Sequence, residues 1–207
     1  MEVRVITDVG AANEPLLKVL GSGSTPIVHQ FLKYENQSDN DTELIKKMAI
    51  ASRVLAEKFL NLSLAEKTIE VFFPREYIKR RSLYIDLPYG PVSNITSVKS
   101  INDQGTEADL TLNDTYNILG KQFKTVRLFE ITGTFNGVSA YCDYLVRYVA
   151  GYGVATEGYT TEAIPEAIVQ AMLKSVFSWF NNRENWLPVL TEESKMMMYP
   201  FRRVAWF

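Results

Sequence analysis

The spacing of apolar residues changes twice along this chain, and that change limits its fold more than any other feature. Between residues 41 and 60, apolar residues recur every three or four positions, as on one face of an α-helix. From residue 66 to 160 they mostly alternate with polar residues, as in β-strands, and after Pro165 the helical spacing returns. This order predicts an α+β fold: a small helical bundle with an antiparallel β region inserted between its second and last long helices.

Three helices are predicted, over residues 26–33, 41–60 and 165–185. Thr25 and Pro26 offer an N-cap and a first-turn proline for the short first helix. The apolar side chains that this helix should bury are Ile27, Val28 and Phe31.

Each of the two longer helices carries one apolar stripe. In the earlier helix the stripe consists of residues three or four apart: Leu44, Met48, Ala51, Leu55 and Phe59. In the later helix it consists of Ile168, Met172 (or Ala171), Val176 (or Ser175) and Trp179. Because each stripe must be buried against another element, we expect the two helices to pack together. Two charge pairs four residues apart, Glu43 with Lys47 and Arg53 with Glu57, are expected on exposed helix faces.

The β region is predicted from alternation and from turn residues. The predicted strands cover residues 68–73, 83–87, 92–101, 116–119, 124–135 and 138–150. Asp103-Gln104-Gly105 indicates a turn, and Asn136-Gly137 favours a hairpin because that dipeptide tolerates a type I′ turn. A basic cluster occurs within this region: Arg75, Lys79, Arg80 and Arg81. It is interpreted either as a solvated hairpin end or as a contact with an acidic partner or with passing DNA.

These patterns divide the chain into three parts of one composite domain. Residues 1–65 hold an N-terminal arm and the first helices, and residues 66–160 form the inserted β region. Residues 161–207 hold the long helix and a C-terminal tail. Residues 1–24, which run into Gly21-Ser22-Gly23-Ser24, are expected to be a loosely structured arm.

The composition argues against catalysis, metal binding and a membrane location. The net charge is -2, so the protein has no overall positive field that would hold a nucleic-acid backbone. His29 and Cys142 are the only histidine and cysteine, which is too few for a zinc site, and His29 has no triad motif around it. The N-terminus lacks a signal-peptide pattern, and no apolar run approaches the roughly 18 residues that span a membrane. We therefore expect a protein without enzymatic activity, cofactor or metal, made in a reducing cytoplasm.

The C-terminal tail is the predicted interaction element because it concentrates large apolar side chains and arginines. The candidate interface residues are Met196, Met197, Met198, Tyr199, Phe201, Arg202, Arg203, Trp206 and Phe207. Val204, also apolar, lies within the same segment. If the tail docks on a partner, truncation after Glu193 should remove binding and leave the melting temperature unchanged. The alternative is that the tail folds back onto its own domain.

Several segments, in the same order, resemble one family. Residues 25–34 (TPIVHQFLKY), the Ala-Glu-Lys-Phe at 56–59 and residues 87–98 (LPYGPVSNITSV) resemble parts of the tailed-phage head–tail connector proteins, also called head-completion adaptors. The most specific matches are VRYVAGYG at 146–153 and PEAIVQAMLKSVFSWFNNRENW at 165–186. The closing MMMYPFRRVAWF also resembles the end of that family, with Pro200, Phe201 and Arg202 in register.

This resemblance implies a structural role in the virion neck, after assembly in the host cytoplasm. It implies a homo-oligomeric ring of twelve subunits that docks on the portal protein, receives a stopper or tail-completion protein and lets DNA pass through its lumen. No catalytic residues belong to that role.

The same residues are compatible with other functions. One is another phage neck or tail structural protein, such as a stopper, tail terminator or baseplate adaptor. Another is a ligand-binding module in which aromatic residues of the β region, such as Tyr148 and Tyr152, stack on a sugar or peptide. A third is an enzyme with two well-placed carboxylates, as in glycosidases.

Overall fold

A computed structural model of the chain describes residues 1–6, 14–17, 26–33, 39–80, 84–120, 124–128, 142–152, 155–156, 159–160, 163–184 and 187–203. The chain divides into two compact units, each built from two separate stretches of sequence. A β-rich unit contains Met1–Asp8 and Glu66–Thr161, and a helical unit contains Val9–Ala65 and Glu162–Phe207. Helices and antiparallel strands are both present, which confirms the α+β prediction. The division into 1–65, 66–160 and 161–207 within one composite domain stays a prediction.

The described helices follow the predicted order. They are α1 (Ile27–Leu32), α2 (Asp39–Leu60), α3 (Arg75–Arg80), α4 (Glu166–Asn181) and α5 (Glu192–Met198), with short 3-10 turns at Pro15–Leu17 and Tyr199–Phe201. The predicted first helix is confirmed, although Val28 is its fully buried apolar residue and Phe31 is exposed. The last long helix ends at Asn181 rather than near 185.

The buried face of α2 differs from the predicted stripe. Met48 is buried as expected, but Leu44, Ala51, Leu55 and Phe59 are only half-buried. The buried residues lie mainly one position further along the helix: Ile45, Met48, Ala49, Ser52, Arg53, Ala56, Glu57 and Leu60. The prediction was wrong because this face includes a serine and two charged side chains, which an apolar periodicity does not reveal.

Arg53 joins two carboxylates in the interior of the helical unit. Its Nε lies 2.8 Å from an oxygen of Glu14, and its Nη1 lies 2.8 Å from an oxygen of Glu57. The other oxygen of Glu57 accepts hydrogen bonds from the backbone N–H groups of Leu64 and Ala65. The expected exposed Arg53–Glu57 pair is therefore buried, and it holds the Pro15–Leu17 turn and the chain after α2 against one helix.

The charge balance around Arg53 favours its cationic form. Burial alone would lower the pKa of the guanidinium, but hydrogen bonds and charge attraction from Glu14 and Glu57 outweigh burial and raise that pKa. Another charge pair on this helix, Lys46 with Glu43, is solvent-exposed at 3.5 Å.

Helices α2 and α4 pack together, as the sequence predicted. Ser52 Oγ donates to the carbonyl of Met172 at 3.1 Å, and the guanidinium of Arg183 lies 3.3 Å from the carboxylate of Asp41. These two contacts show that the helices run antiparallel. On α4 all four predicted stripe residues, from Ile168 to Trp179, are buried.

The β-rich unit consists of ten described strands. They are β1 (Glu2–Val5), β2 (Lys67–Phe73), β3 (Tyr84–Asp86), β4 (Val92–Ile101), β5 (Glu107–Asp109), β6 (Tyr116–Leu119), β7 (Thr125–Leu128), β8 (Asp143–Ala150), β9 (Ala155–Thr156) and β10 (Tyr159–Thr160). One sheet has the order β1-β2-β8-β4-β5, a second β3-β7-β6, and β9 pairs with β10. All these strand pairings are antiparallel.

Alternate residues of the larger sheets form one hydrophobic core. Ile69, Val71 and Phe73 of β2 and Tyr144, Val146 and Tyr148 of β8 enter it from the five-stranded sheet, and Ile85, Val126 and Leu128 enter it from the three-stranded sheet. This is the period-2 pattern that the sequence predicted. The turn at 103–105 is also confirmed, and Gly105 adopts a φ of 78°, a conformation that glycine permits.

The arm was expected to be loose, yet Glu2–Val5 forms a strand that pairs antiparallel with β2, so the prediction was wrong for these residues. The four-residue strand is short, and its apolar alternation is visible only at Val3 and Val5. The Asn136-Gly137 hairpin and the Gly21–Ser24 stretch lie outside the described residues.

Cys142 gives a direct test of this core. Its side chain is buried, and burial, together with the nearby Asp103 and Asp143, raises the pKa of the thiol. We expect a disulfide reagent to label the native protein at least about tenfold more slowly than the urea-unfolded chain, because reaction requires local opening. Equal labelling rates in the two states would show that the core is open at this position.

Candidate interaction surface

The connection from α4 to α5 is held against the helical unit by a tryptophan. Trp179 is buried on α4, and its Nε1–H donates to the carbonyl of Val189 at 3.0 Å. Leu190 is buried directly after this contact. The backbone is therefore fixed at 189–190, while the side chains of Leu187 and Val189 stay outside.

Helix α5 is fixed to α4 by a cluster of hydroxyl groups. Thr191 caps the helix, and its Oγ1 accepts the N–H of Ser194 at 3.2 Å. Ser194 Oγ donates to the carbonyl of Ala171 at 2.7 Å and accepts from Ser175 Oγ at 2.9 Å. Met198, one turn further on, is fully buried. The first half of the predicted tail thus belongs to the interior of its own unit.

The chain after α5 returns to the end of α2. The guanidinium of Arg202 lies over the ring of Phe59, 5.2 Å from its centre. The N–H of Arg203 donates to the carbonyl of Leu60 at 2.9 Å, and Asn61 Nδ2 donates to the carbonyl of Arg203 at 3.1 Å. Residues up to Arg203 therefore fold back on their own unit. The remaining tail candidates, Val204, Trp206 and Phe207, lie outside the described residues.

This geometry reverses the expected effect of truncation. Removing the chain after Glu193 deletes Ser194 and the buried Met198, and it ends the contacts with Leu60 and Asn61. We expect a loss of at least about 2 kcal/mol in the free energy of unfolding, because truncating a buried methionine alone costs about 2–5 kcal/mol. Urea denaturation of the shortened protein measures this loss.

A protein truncated after Arg203 is the matched control, because it keeps every described contact of the tail. Its urea midpoint should equal that of the full chain. If truncation after Glu193 also left the midpoint unchanged, the tail would not be part of the folded unit.

Four of the apolar side chains that the structure describes after α4 remain largely in solvent. Leu187 is 72% exposed, Val189 57%, Met196 76% and Tyr199 66%. Met197 and Phe201 are half-buried, and Arg202 is exposed. Of the predicted interface residues that the structure describes, Met198 is unavailable to a partner, and Met196 and Tyr199 are the most accessible. Leu187 and Val189 were not among the predicted interface residues, although both flank Pro188 in the connection between α4 and α5.

A groove with an aromatic wall lies on the same helical unit. Phe31 of α1 and Phe177 of α4 meet edge to face, with ring centres 6.2 Å apart, and are 37% and 48% exposed. The groove encloses about 570 Å³ and is also lined by Lys174, Ser178, Thr191, Glu192 and Glu193. Lys174 lies 2.9 Å from the carboxylate of Glu193. Large aromatic side chains in a concave, partly charged site favour binding of another apolar group.

The first residue of the basic cluster, Arg75, is bound to two aspartates of its own unit. Arg75 starts α3, forms an ion pair with Asp103, and its backbone N–H donates to Asp143 at 2.8 Å. The segment is a short helix between β2 and β3, so the predicted hairpin end is wrong. Lys79 and Arg80 lie in that helix, where the structure describes their backbone only. Arg81 lies outside the described residues.

Other candidate chemistry of the sequence has structural explanations. His29 is buried, and burial lowers the pKa of its imidazole. Tyr148 is fully buried with its hydroxyl donating to the carbonyl of Pro88 at 2.7 Å, and Tyr152 is buried as well. These two tyrosines cannot stack on a ligand, which removes the residues on which the binding-module alternative rested.

Within the described part of the chain, His, Cys, Asp and Glu side chains form no group of three or more that could hold a metal ion. None of the helices described by the structure combines the length and hydropathy needed to cross a bilayer.

Comparison with known proteins identifies structural neighbours only. No protein-family model matches the sequence, and no curated protein matches it. Three solved chains have the same fold along their whole length, covering 100% of this chain and 98% of each neighbour. They come from the neck of an empty GTA particle computed with C6 symmetry (TM-score 0.67, 12% identity), the virion of a native gene transfer agent particle (0.69, 13%) and the neck of a native GTA particle computed with C12 symmetry (0.64, 14%). At these identities the likeness shows a shared fold.

Proposed function

We propose that this chain is a structural subunit of a ring in the neck of a tailed-phage or phage-like particle, without enzymatic activity. The observation that carries the proposal is the full-length likeness to chains of GTA necks and virions, which includes both units of the chain. An isolated domain shared with many proteins would match only part of such chains. The ring docks on the portal protein, receives a stopper or tail-completion protein and lets DNA pass, after assembly in the host cytoplasm.

A ring of twelve subunits is consistent with both symmetries used for the neighbours. Twelve copies satisfy C12 and also its subgroup C6. A closed ring requires a head-to-tail interface in which each subunit presents two different patches. The helical unit has two candidates, the exposed residues Met196 and Tyr199 near the chain end and the groove between Phe31 and Phe177.

The assignment of surfaces is part of the proposal. The portal and subunit interface contains Met196, Met197, Tyr199, Phe201, Arg202, Arg203, Trp206 and Phe207, extended by Leu187 and Val189. Lys79, Arg80 and Arg81 are the residues that contact DNA transiently and without sequence preference. This contact should weaken as the salt concentration rises, because it depends on counterion release.

The test is assembly with purified portal protein. We expect negative-stain images of the mixture to show a ring on the portal without tail proteins present, and this result separates an adaptor from a stopper, tail terminator or baseplate adaptor. Only monomers in these images, and in light scattering at high concentration, would contradict the ring.

The double variant Met196→Ser with Tyr199→Ser tests the interface. Both side chains are exposed, so the melting temperature should stay unchanged, whereas binding to portal or to other subunits should fall about tenfold or more. Lys46→Ser, also exposed but on α2, is the matched control and should bind normally. Unchanged binding by the double variant would remove these residues from the interface.

A further inference from the structure

We propose that the groove lined by Phe31 and Phe177 receives the last four residues of a neighbouring copy, Val204-Ala205-Trp206-Phe207. This inference rests on the proposed ring and names the partner of one of its two patches. The contact links each subunit to the next by its C-terminal segment, so the same interaction repeats around the ring.

The groove has the chemistry to hold an aromatic segment. Phe31 and Phe177 already meet edge to face at 6.2 Å, and both rings keep an exposed side. A Trp or Phe from a partner can extend this aromatic cluster, and such pairs add about 0.5–1.5 kcal/mol beyond the area that they bury. The volume of about 570 Å³ lies within the usual range of sites that enclose a group of this size.

The position of Arg203 favours binding of the segment 204–207 to another copy, because Arg203 lies far from the groove of its own chain. Arg203 is hydrogen-bonded to Leu60 and Asn61 at the C-terminal end of α2. Because α2 and α4 are antiparallel, this end lies level with the start of α4, whereas Phe177 lies about 15–20 Å further along that helix. The backbone of four extended residues spans at most about 14 Å. Arg203, which precedes the segment, and the groove therefore lie at different ends of the helix pair, which is the arrangement that a head-to-tail contact requires.

The charges at the two ends are also complementary. The groove lining carries two carboxylates, Glu192 and Glu193, against one ammonium group, Lys174. The ion pairs that these groups make are exposed to solvent, so they are weak and can exchange partners. Arg202 and Arg203 stand at the base of the C-terminal segment, within reach of such a rim, and arginine pairs favourably with carboxylates.

Cysteine trapping between full-length copies tests the contact. Phe177→Cys and Trp206→Cys are made in separate proteins, mixed and oxidised, and the products are separated without reductant. A disulfide needs Cα atoms within about 7 Å, so a covalent dimer that requires both variants reports the proposed contact. Val54→Cys mixed with Trp206→Cys is the matched control, since Val54 on α2 is 47% exposed, close to the 48% of Phe177. The buried Cys142 is common to all mixtures.

We expect at least tenfold more mixed dimer with Phe177→Cys than with Val54→Cys, and a ladder of higher oligomers when one chain carries both Phe177→Cys and Trp206→Cys. Equal yields in the two mixtures would overturn the inference. If portal-bound rings still form in that case, the neck function stands without this contact. If deletion of residues 204–207 abolishes portal binding and no specific cross-link forms, the portal takes the segment and the inference is wrong.

Discussion

Arg53→Ala is expected to lower the free energy of unfolding by about 3–5 kcal/mol, the usual cost of breaking a buried ion pair by removing one partner. The guanidinium lies within 2.8 Å of both Glu14 and Glu57, and all three side chains are buried. Without it, two carboxylates face each other in the interior with no cation between them. Urea denaturation followed by far-UV circular dichroism measures the change.

The control for Arg53→Ala lies on the same helix. Lys46→Ala removes an exposed ion pair with Glu43 and should change the free energy of unfolding by less than about 1 kcal/mol. A loss of similar size in the two variants would mean that Arg53 does not link α2 to Glu14 and to the chain that follows the helix.

Trp179→Ala is expected to cost about 3–5 kcal/mol, from lost burial and from the cavity that remains. The variant also leaves the carbonyl of Val189 without its 3.0 Å hydrogen bond, so the connection between α4 and α5 loses its attachment. The unfolding midpoint in urea should shift accordingly, and the intrinsic fluorescence of the native state should change.

Two variants separate packing from the hydrogen bond. Trp179→Phe keeps an aromatic ring but cannot donate a hydrogen bond to Val189. Its free energy of unfolding should therefore lie between those of the wild type and Trp179→Ala. Phe177→Ala, two positions earlier on the exposed side of α4, should leave stability nearly unchanged. An unchanged midpoint for Trp179→Ala would show that the indole is not buried.

The sequence predicted those elements whose residues follow one simple period. Strand β2 alternates cleanly enough to be recognised, and the stripe on α4 is entirely apolar or aromatic. The order of helical and β segments, and the packing of α2 on α4, followed from the same signal. These features depend only on the order of apolar and polar residues, which the sequence gives without knowledge of distant contacts.

The errors arise where burial depends on partners that are distant in sequence. Arg53 and Glu57 read as an exposed helical pair, because nothing nearby shows that Glu14 completes their environment. Met198 read as an interface residue, because the serine contacts that hold α5 against α4 join positions 19 and 23 residues apart. The groove at Phe31 and Phe177 was missed for the same reason, since it forms only when α1 and α4 meet.

The interleaving of the two units along the chain has a consequence during synthesis on the ribosome. Ser52 and Met172 are hydrogen-bonded although 120 positions separate them, and Arg203 closes on Leu60 at the end of the described chain. The helical unit therefore cannot finish folding until the chain up to Arg203 has left the ribosome, whereas the strands from β2 to β8 emerge earlier and can pair first. During that interval α2 has no partner for its buried face. A translation pause before α4 should therefore expose that face to chaperones and proteases for longer.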